Sequence, residues 1–281
     1  MSKGQLLVGL CVALALESSA LAVDDPLRLR PGASPATGGG RVANDLSTGL
    51  IQQIDPSALT GTGLVDFQDV AGGSAPGTNY DGILTSASVL FAERFVGQAL
   101  SFNGNFDLLS GVGSNPLMVE AGAPGQNVDV FTDIFGNNIL AGLGPLGFPD
   151  FGAIGEGSVA MLFPNDKVEV GFDVFGIDGG GSLTVTFFRR DGTRIDTINV
   201  PTVAGSDVVS LAFRRVKPIN DIAGLTIEND DPVGIGIGNI RFGTSTIAPV
   251  PAMSLAAVAL LVAVLSLIAA ARFRARLDRS T

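Results

Sequence analysis

The side chains of this 281-residue sequence that could carry out chemistry are almost all carboxylates. There is no histidine, and the single cysteine is Cys11. A Ser/His/Asp or Cys/His nucleophile system and a histidine-ligated metal are therefore excluded. Glycoside hydrolysis remains open, because it needs only two acids at the right separation, one to protonate the leaving oxygen and one to attack or to activate water. By residue type Glu93, Glu120, Asp150 and Glu156 are candidates. Nothing in their spacing pairs them, so solvated surface acids are the simpler reading and no catalytic residue is assigned.

Oxygen-rich segments could instead hold a calcium ion. Asn229-Asp230-Asp231-Pro232 with Asp221 upstream is one candidate, Asn165-Asp166 another, and Asp178 beside its glycine triplet a third. None follows the spacing of a known calcium loop. Asx side chains also make ordinary turns by bonding their own backbone, which is the preferred reading. The expectation is no cofactor, with Ca2+ as the one cation that these residues would suit. Gly234-Ile235-Gly236-Ile237-Gly238 and Gly38-Gly39-Gly40 lack the strand-then-helix setting of a nucleotide loop, so the first reads as a bulged strand and the second as linker. Arg189-Arg190 and Arg214-Arg215 could contact an acidic polysaccharide, although a charged strand edge is simpler. Aromatic sugar platforms are poorly represented: there is no Trp, one Tyr (Tyr80) and 17 Phe.

The elements that must position these groups lie between two membrane-directed ends. Lys3, the apolar run Leu6 to Leu16 and the small pair Ala20 and Ala22 describe an export signal over residues 1–22, cleaved after Ala22. Cys11 lies inside that run and leaves with it. At the other end Pro249-Val250-Pro251 precedes an uncharged stretch over residues 252–271, whose only polar side chains are Ser254 and Ser266. Twenty helical residues rise about 30 Å, enough to cross a bilayer's hydrocarbon core. Arg272, Arg274, Arg276 and Arg279 then form a basic tail over 272–281, which sets the cytoplasmic side. The part between the ends carries 12 basic and 25 acidic residues, net −13. Such a charge repels nucleic acid and anionic lipid, so neither is an expected partner.

Residues 23–62 read as a flexible Pro/Gly-rich linker, residues 63–243 as one domain and 244–251 as a second linker bearing the proline motif. In the domain Val168, Val170, Phe172 and Val174 alternate with polar or small residues, as do Leu183, Val185 and Phe187. This is the period of a half-buried strand. Further runs are predicted at Phe95 to Phe102, Leu117 to Ala121, Val128 to Phe131, Ser158 to Phe163, Arg194 to Val200, Val208 to Arg214, Ile222 to Glu228 and Ile235 to Phe242. Arg190-Asp191-Gly192-Thr193 predicts a tight hairpin with both central residues at positive φ. No helical spacing intervenes, so the fold class expected is all-β, an antiparallel two-sheet sandwich of jelly-roll-like form.

The tail resembles the tripartite sorting signals of bacterial exosortase substrates, the PEP-CTERM class and its relatives: a proline motif, a transmembrane helix and an arginine cluster. Val250-Pro251-Ala252-Met253-Ser254 is closer to the Ile-Pro-Thr-Leu-Ser type of motif than to Val-Pro-Glu-Pro, which makes Val250, Pro251 and Ser254 its sorting residues. The domain resembles the uncharacterised sandwich that often accompanies such tails, through Asn79-Tyr80-Asp81-Gly82, Phe91-Ala92-Glu93-Arg94-Phe95, the run from Gly142 to Pro149, Gly155-Glu156-Gly157, the run from Phe187 to Gly192, and Asp221-Ile222-Ala223-Gly224. Similar domains often carry Asp-Asn in the final strand where this chain has Gly238-Asn239. The resemblance implies a sorting protease as partner and placement at the cell surface or in an exopolysaccharide matrix, and brings no assigned activity. The function expected is that of a non-enzymatic surface protein, the alternative being a carbohydrate-binding or carboxylate-dependent glycan-active module.

Overall fold

A computed structural model describes residues 49–133, 135–176, 179–201 and 208–244. The expected signal peptide, Ala20 and Ala22, Asp178, the sorting residues Val250, Pro251 and Ser254, the span 252–271 and the arginines from Arg272 to Arg279 lie outside the described residues. Among those described, no helix is long and apolar enough to cross a membrane.

Two antiparallel sheets hold most of the described chain. The first runs in the order β1 (Ile51–Gln53), β16 (Val208–Arg215), β13 (Glu169–Phe175), β18 (Gly236–Gly243), β11 (Asn138–Gly142), β10 (Val128–Thr132) and β3 (Thr78–Tyr80), with β2 (Gly63–Val65) also paired to β18. The second runs β15 (Arg194–Pro201), β14 (Ser182–Phe188), β17 (Ile222–Asn229), β12 (Val159–Lys167), β5 (Val89–Ala92) and β4 (Leu84–Ser86). Two short ribbons complete the fold: β6 (Arg94–Phe95) with β9 (Val119–Glu120), and β7 (Ala99–Asn103) with β8 (Phe106–Ser110). The all-β, antiparallel expectation is borne out.

The sheets face one another across a single apolar cluster to which both contribute. Val170, Phe172 and Val174 enter it from β13 and Leu183, Val185 and Phe187 from β14, as the period-2 pattern requires. Phe187 meets Phe213 at 5.4 Å between centroids and Phe163 meets Phe242 at 5.1 Å, both across the sheet interface. Edge-to-face aromatic contacts of this kind add to the area they bury. A second cluster, with Phe95 against Phe188, covers part of the outer face of the second sheet. A third, with Phe131, Ile139, Leu143, Ile154 and Phe175, covers part of the outer face of the first. Strands covered on both faces read as continuous apolar runs, which is why Val159 to Phe163 shows no alternation.

Three expectations are corrected. Residues 49–62, read as linker from their composition, include β1 with Ile51 buried. The Leu50 and Ile51 N–H groups donate to the Asp196 carboxylate at 2.6 and 3.0 Å, which ties this entry strand to β15 of the other sheet. The run Phe95 to Phe102 is two strands in two ribbons, divided at Gly97, whose φ of +94° needs glycine. At the β14–β15 hairpin only Gly192 has positive φ, +81°. The Gly192 N–H donates to the Arg189 carbonyl, and the ladder shifts register there. This is a three-residue turn with a glycine bulge in place of the expected two-residue turn.

Candidate functional site

The candidate carboxylates come first, because their surroundings decide what chemistry they could do. Glu93 follows β5 and its side chain is 2% exposed. The Arg94 guanidinium bridges it to Glu120, donating to Glu93 Oε2 from one nitrogen and to Glu120 Oε1 at 2.8 Å from the other. The structure thus brings two of the four candidates together, but across a cation and not across an open cleft. Asp107 on β8 lies nearby, accepting from the Ser158 N–H at 2.9 Å, and the Ser158 hydroxyl donates to the Glu93 carbonyl at 2.9 Å. Glu228 on β17 accepts from the Leu109 N–H at 2.7 Å. The β7–β8 ribbon therefore lies over these acids. Burial pushes Glu93 up to about 7, aided by the Asp107 charge and opposed by Arg94. Burial likewise raises Asp107 to about 6 and Glu228 to about 7. Sequence reasoning named neither Asp107 nor Glu228, since residue 107 meets residue 228 only through tertiary packing.

The other two candidates stand apart. Glu156 is 6% exposed and burial, with the Asp231 charge, raises it to about 7. Asp150 caps a one-turn helix at Phe151–Ala153, accepting from the Gly152 N–H at 2.8 Å, an ordinary structural use.

Five of the described calcium candidates, Asp166, Asp221, Asn229, Asp230 and Asp231, bond protein groups. Asp221 accepts from Arg215 at 2.7 and 3.2 Å and from Arg189 at 3.2 Å. Asn229 donates to the Gly155 carbonyl and accepts from the Asp231 N–H, while Asp231 accepts from the Val233 N–H. Asp230 accepts from the Ser182 N–H and hydroxyl. Asp166 is held by Arg190 at 2.7 and 3.0 Å. Among the described residues no group of three or more acidic, His or Cys side chains is arranged to hold a metal. The arginine pairs are likewise engaged internally: Arg214 bonds Glu169 at 2.7 Å, and Arg215 is only 5% exposed beside Asp221. They are structural ion pairs in place of the free, solvated edge expected of them.

A groove of about 240 Å³ opens on the outer side of the first sheet, lined by Asp66, Gln68, Asn137, Asn138, Phe175 and Asn239 with the backbone of Gly136 and Gly238. Three segments distant in sequence build it. Phe67 takes φ +57° and buries its ring at 5.1 Å from that of Phe91, leaving Asp66 and Gln68 exposed on either side. Asn138 fastens this segment to β11, its amide donating to the Phe67 and Val70 carbonyls at 2.9 and 3.2 Å. In the β10–β11 turn Asp133 accepts from the Asn137 N–H and side-chain amide at 2.8 and 3.0 Å. On β18 the register against β13 shifts at a bulge, where Asn239 takes φ +48°. The Asn239 amide donates to Asp173 at 2.8 Å, and Asp173 is itself held by Ser210 at 2.6 Å.

Non-glycine residues at positive φ cost on the order of 1–3 kcal/mol each, and a bulge re-aims a side chain. Of the four described, Ala87 and Ser88 form the β4–β5 turn, an ordinary use. The other two, Phe67 and Asn239, border the groove. The stretch Gly238-Asn239 was singled out in the sequence as a departure from similar domains, and Gly238 also as the end of the glycine run read as a bulged strand.

No family model matches this chain, and no curated protein matches it. Among solved structures, the enzymatically active domain of a bacteriophage CBA120 tailspike protein is similar at 17% identity and TM-score 0.27, over 41% of this chain and 17% of that one. A non-crystalline cellulose specific carbohydrate-binding module is similar at 13% identity and TM-score 0.26, over 42% of this chain and 82% of that one. A family 29 carbohydrate-binding module is similar at 15% identity and TM-score 0.24, over 49% of this chain and 94% of that one. At TM-scores this low the matches carry no functional inference, and the chain spans under a fifth of the tailspike domain.

Proposed function

We propose that this chain is an exported, surface-sorted β-sandwich of jelly-roll-like form that acts by binding and not by catalysis, in the cell envelope or an exopolysaccharide matrix. The observation that carries the non-catalytic reading is the fate of the acids. Glu93 is buried and ion-paired, Asp107 on β8 is buried against Ser158, Glu228 is bonded to the Leu109 N–H of the same strand, and Asp150 is a cap. Hydrolysis of a glycosidic bond requires two carboxylates that a substrate can reach, and the burial and pairing of these acids support a binding role instead. The placement rests on the two ends of the sequence: a signal peptide, then Val250-Pro251 before an apolar span and four arginines. A sorting protease of exosortase type is the partner for that tail, which either anchors the domain to the membrane or is removed when the domain is passed to the surface.

Cell fractionation with intact-mass measurement tests the reading. The expected product lacks residues 1–22, lies outside the cytoplasm and ends near Pro251 where sorting has occurred. A chain found in the cytoplasm with residues 272–281 attached would overturn it.

A further inference from the structure

The groove between the bulge of β18 and the Asp66 to Gln68 segment is built as a ligand site, and we infer that it binds a ring of an uncharged polysaccharide. The inference rests on the exported binding domain proposed above and gives it a site and a ligand class. Two backbone outliers, Phe67 and Asn239, border this one groove. Each turns polar side chains outward at a place where simple strand geometry would not.

Those side chains are held before any ligand arrives. The Asn239 amide donates one N–H to Asp173 and that of Asn137 one to Asp133, which fixes both amides and leaves each its second N–H and its oxygen. With the Asp66 carboxylate, one oxygen of which accepts from the Gln68 N–H at 3.1 Å, and the Gln68 side chain they make a wall of mixed donors and acceptors. Sugar hydroxyls are the complement of such a wall, since each can donate one hydrogen bond and accept others. Phe175 lies at the base of the groove, 9% exposed, and gives an apolar surface for ring C–H groups. Phe135, 66% exposed, stands next to Gly136 at the rim. The volume, about 240 Å³, is below the ~300–1,000 Å³ of drug-sized pockets and suits a single ring of a chain that continues into solvent.

Charge decides which polysaccharide. The lining contains a carboxylate and no Lys or Arg; of the two acids that hold its asparagines, Asp133 and Asp173, the second is also paired with Arg241 at 3.4 Å. An anionic polymer such as a uronan would be repelled, and the net charge of −10 adds to that.

Affinity electrophoresis of the full-length protein in mild detergent tests this, with gels containing dextran, hydroxyethyl cellulose or alginate. Retardation by at least one of the two uncharged polymers and none by alginate is expected. Asn239→Gly keeps the positive φ while deleting the amide, so it should retain the wild-type melting temperature and bind at least tenfold more weakly. Asp66→Asn, on an exposed segment, should weaken binding in the same gels. The inference is overturned if neither uncharged polymer retards the protein, if alginate alone does, or if Asn239→Gly binds as the wild type does. A chain that fractionates to the cytoplasm and yet binds dextran would sink the sorting reading and leave the groove standing.

Discussion

Asp129 on β10 lies directly opposite Asn79 on β3, and neither Asp129 oxygen nor Asn79 Oδ1 meets a hydrogen-bond donor although all three are buried. Asn79 cannot turn its amide nitrogen inward, because that group donates to Asp81 at 2.8 Å. A fully buried carboxylate without donors cannot stay ionised cheaply. Burial pushes the Asp129 carboxyl well above its usual range, which favours the neutral acid.

Replacing Asp129→Asn should therefore stabilise the protein. The new amide can donate to Asn79 Oδ1 at every pH, and the unfolded chain no longer gains by ionising. At pH 7 the gain is about 1–2 kcal/mol, the scale of a satisfied buried acceptor. It should shrink toward pH 4, where the wild-type acid is protonated in the unfolded chain as well. Urea unfolding at the two pH values measures both; equal destabilisation at each would contradict the neutral-acid assignment.

The other buried acids set the pH profile of the whole domain. Glu93, Glu156 and Glu228 are raised to about 7 and Asp107 to about 6, each chiefly by burial. Their native forms hold protons more tightly than the unfolded chain does. Stability from them is complete below about pH 4 and is lost as pH rises toward 7. Glu169 and Asp69 are held below their usual values, by the Thr60 N–H and Arg214 in the first case and by Ser86 in the second. They act in the opposite sense and lose their contribution as pH falls below about 4. Maximum stability is expected at about pH 4–5, with a melting temperature at least about 5 °C above that at pH 8. Scanning calorimetry across that range checks it, and a flat or rising profile from pH 5 to 8 would refute it.

Arg94 is the single cation between Glu93 and Glu120. Arg94→Met should cost about 3 kcal/mol, since it leaves a buried carboxylate without its partner. Adding Glu93→Gln should recover much of the loss, because the uncompensated charge is then gone. Chemical denaturation of the two single variants and the double variant reads the coupling. Additive losses would show that Arg94 acts only through packing.

Local pattern made much of the framework legible. Alternation placed Val170, Phe172, Val174, Leu183, Val185 and Phe187 in the core correctly, because a strand's two faces repeat every second residue whatever it pairs with. Short edge strands such as β1 and β3 escaped notice, since three residues carry too little period to register and their identity as strands comes from a partner far along the chain. Glu93 and Glu120 were legible as acids but not as a pair, and Arg94, which joins them, was visible only as part of a resemblance.

By itself, then, the amino-acid sequence determined the chemistry excluded and the strand class, and set the expectation for the two ends, all from residue type and short-range order. The tertiary structure decided where the acids stand and which residues share a groove. Asp66, Asn137 and Asn239 line one surface because the partners of β2, β11 and β18 are set by register between strands up to about a hundred and eighty residues apart, and register is a property of the packed sheets and not of any segment within them.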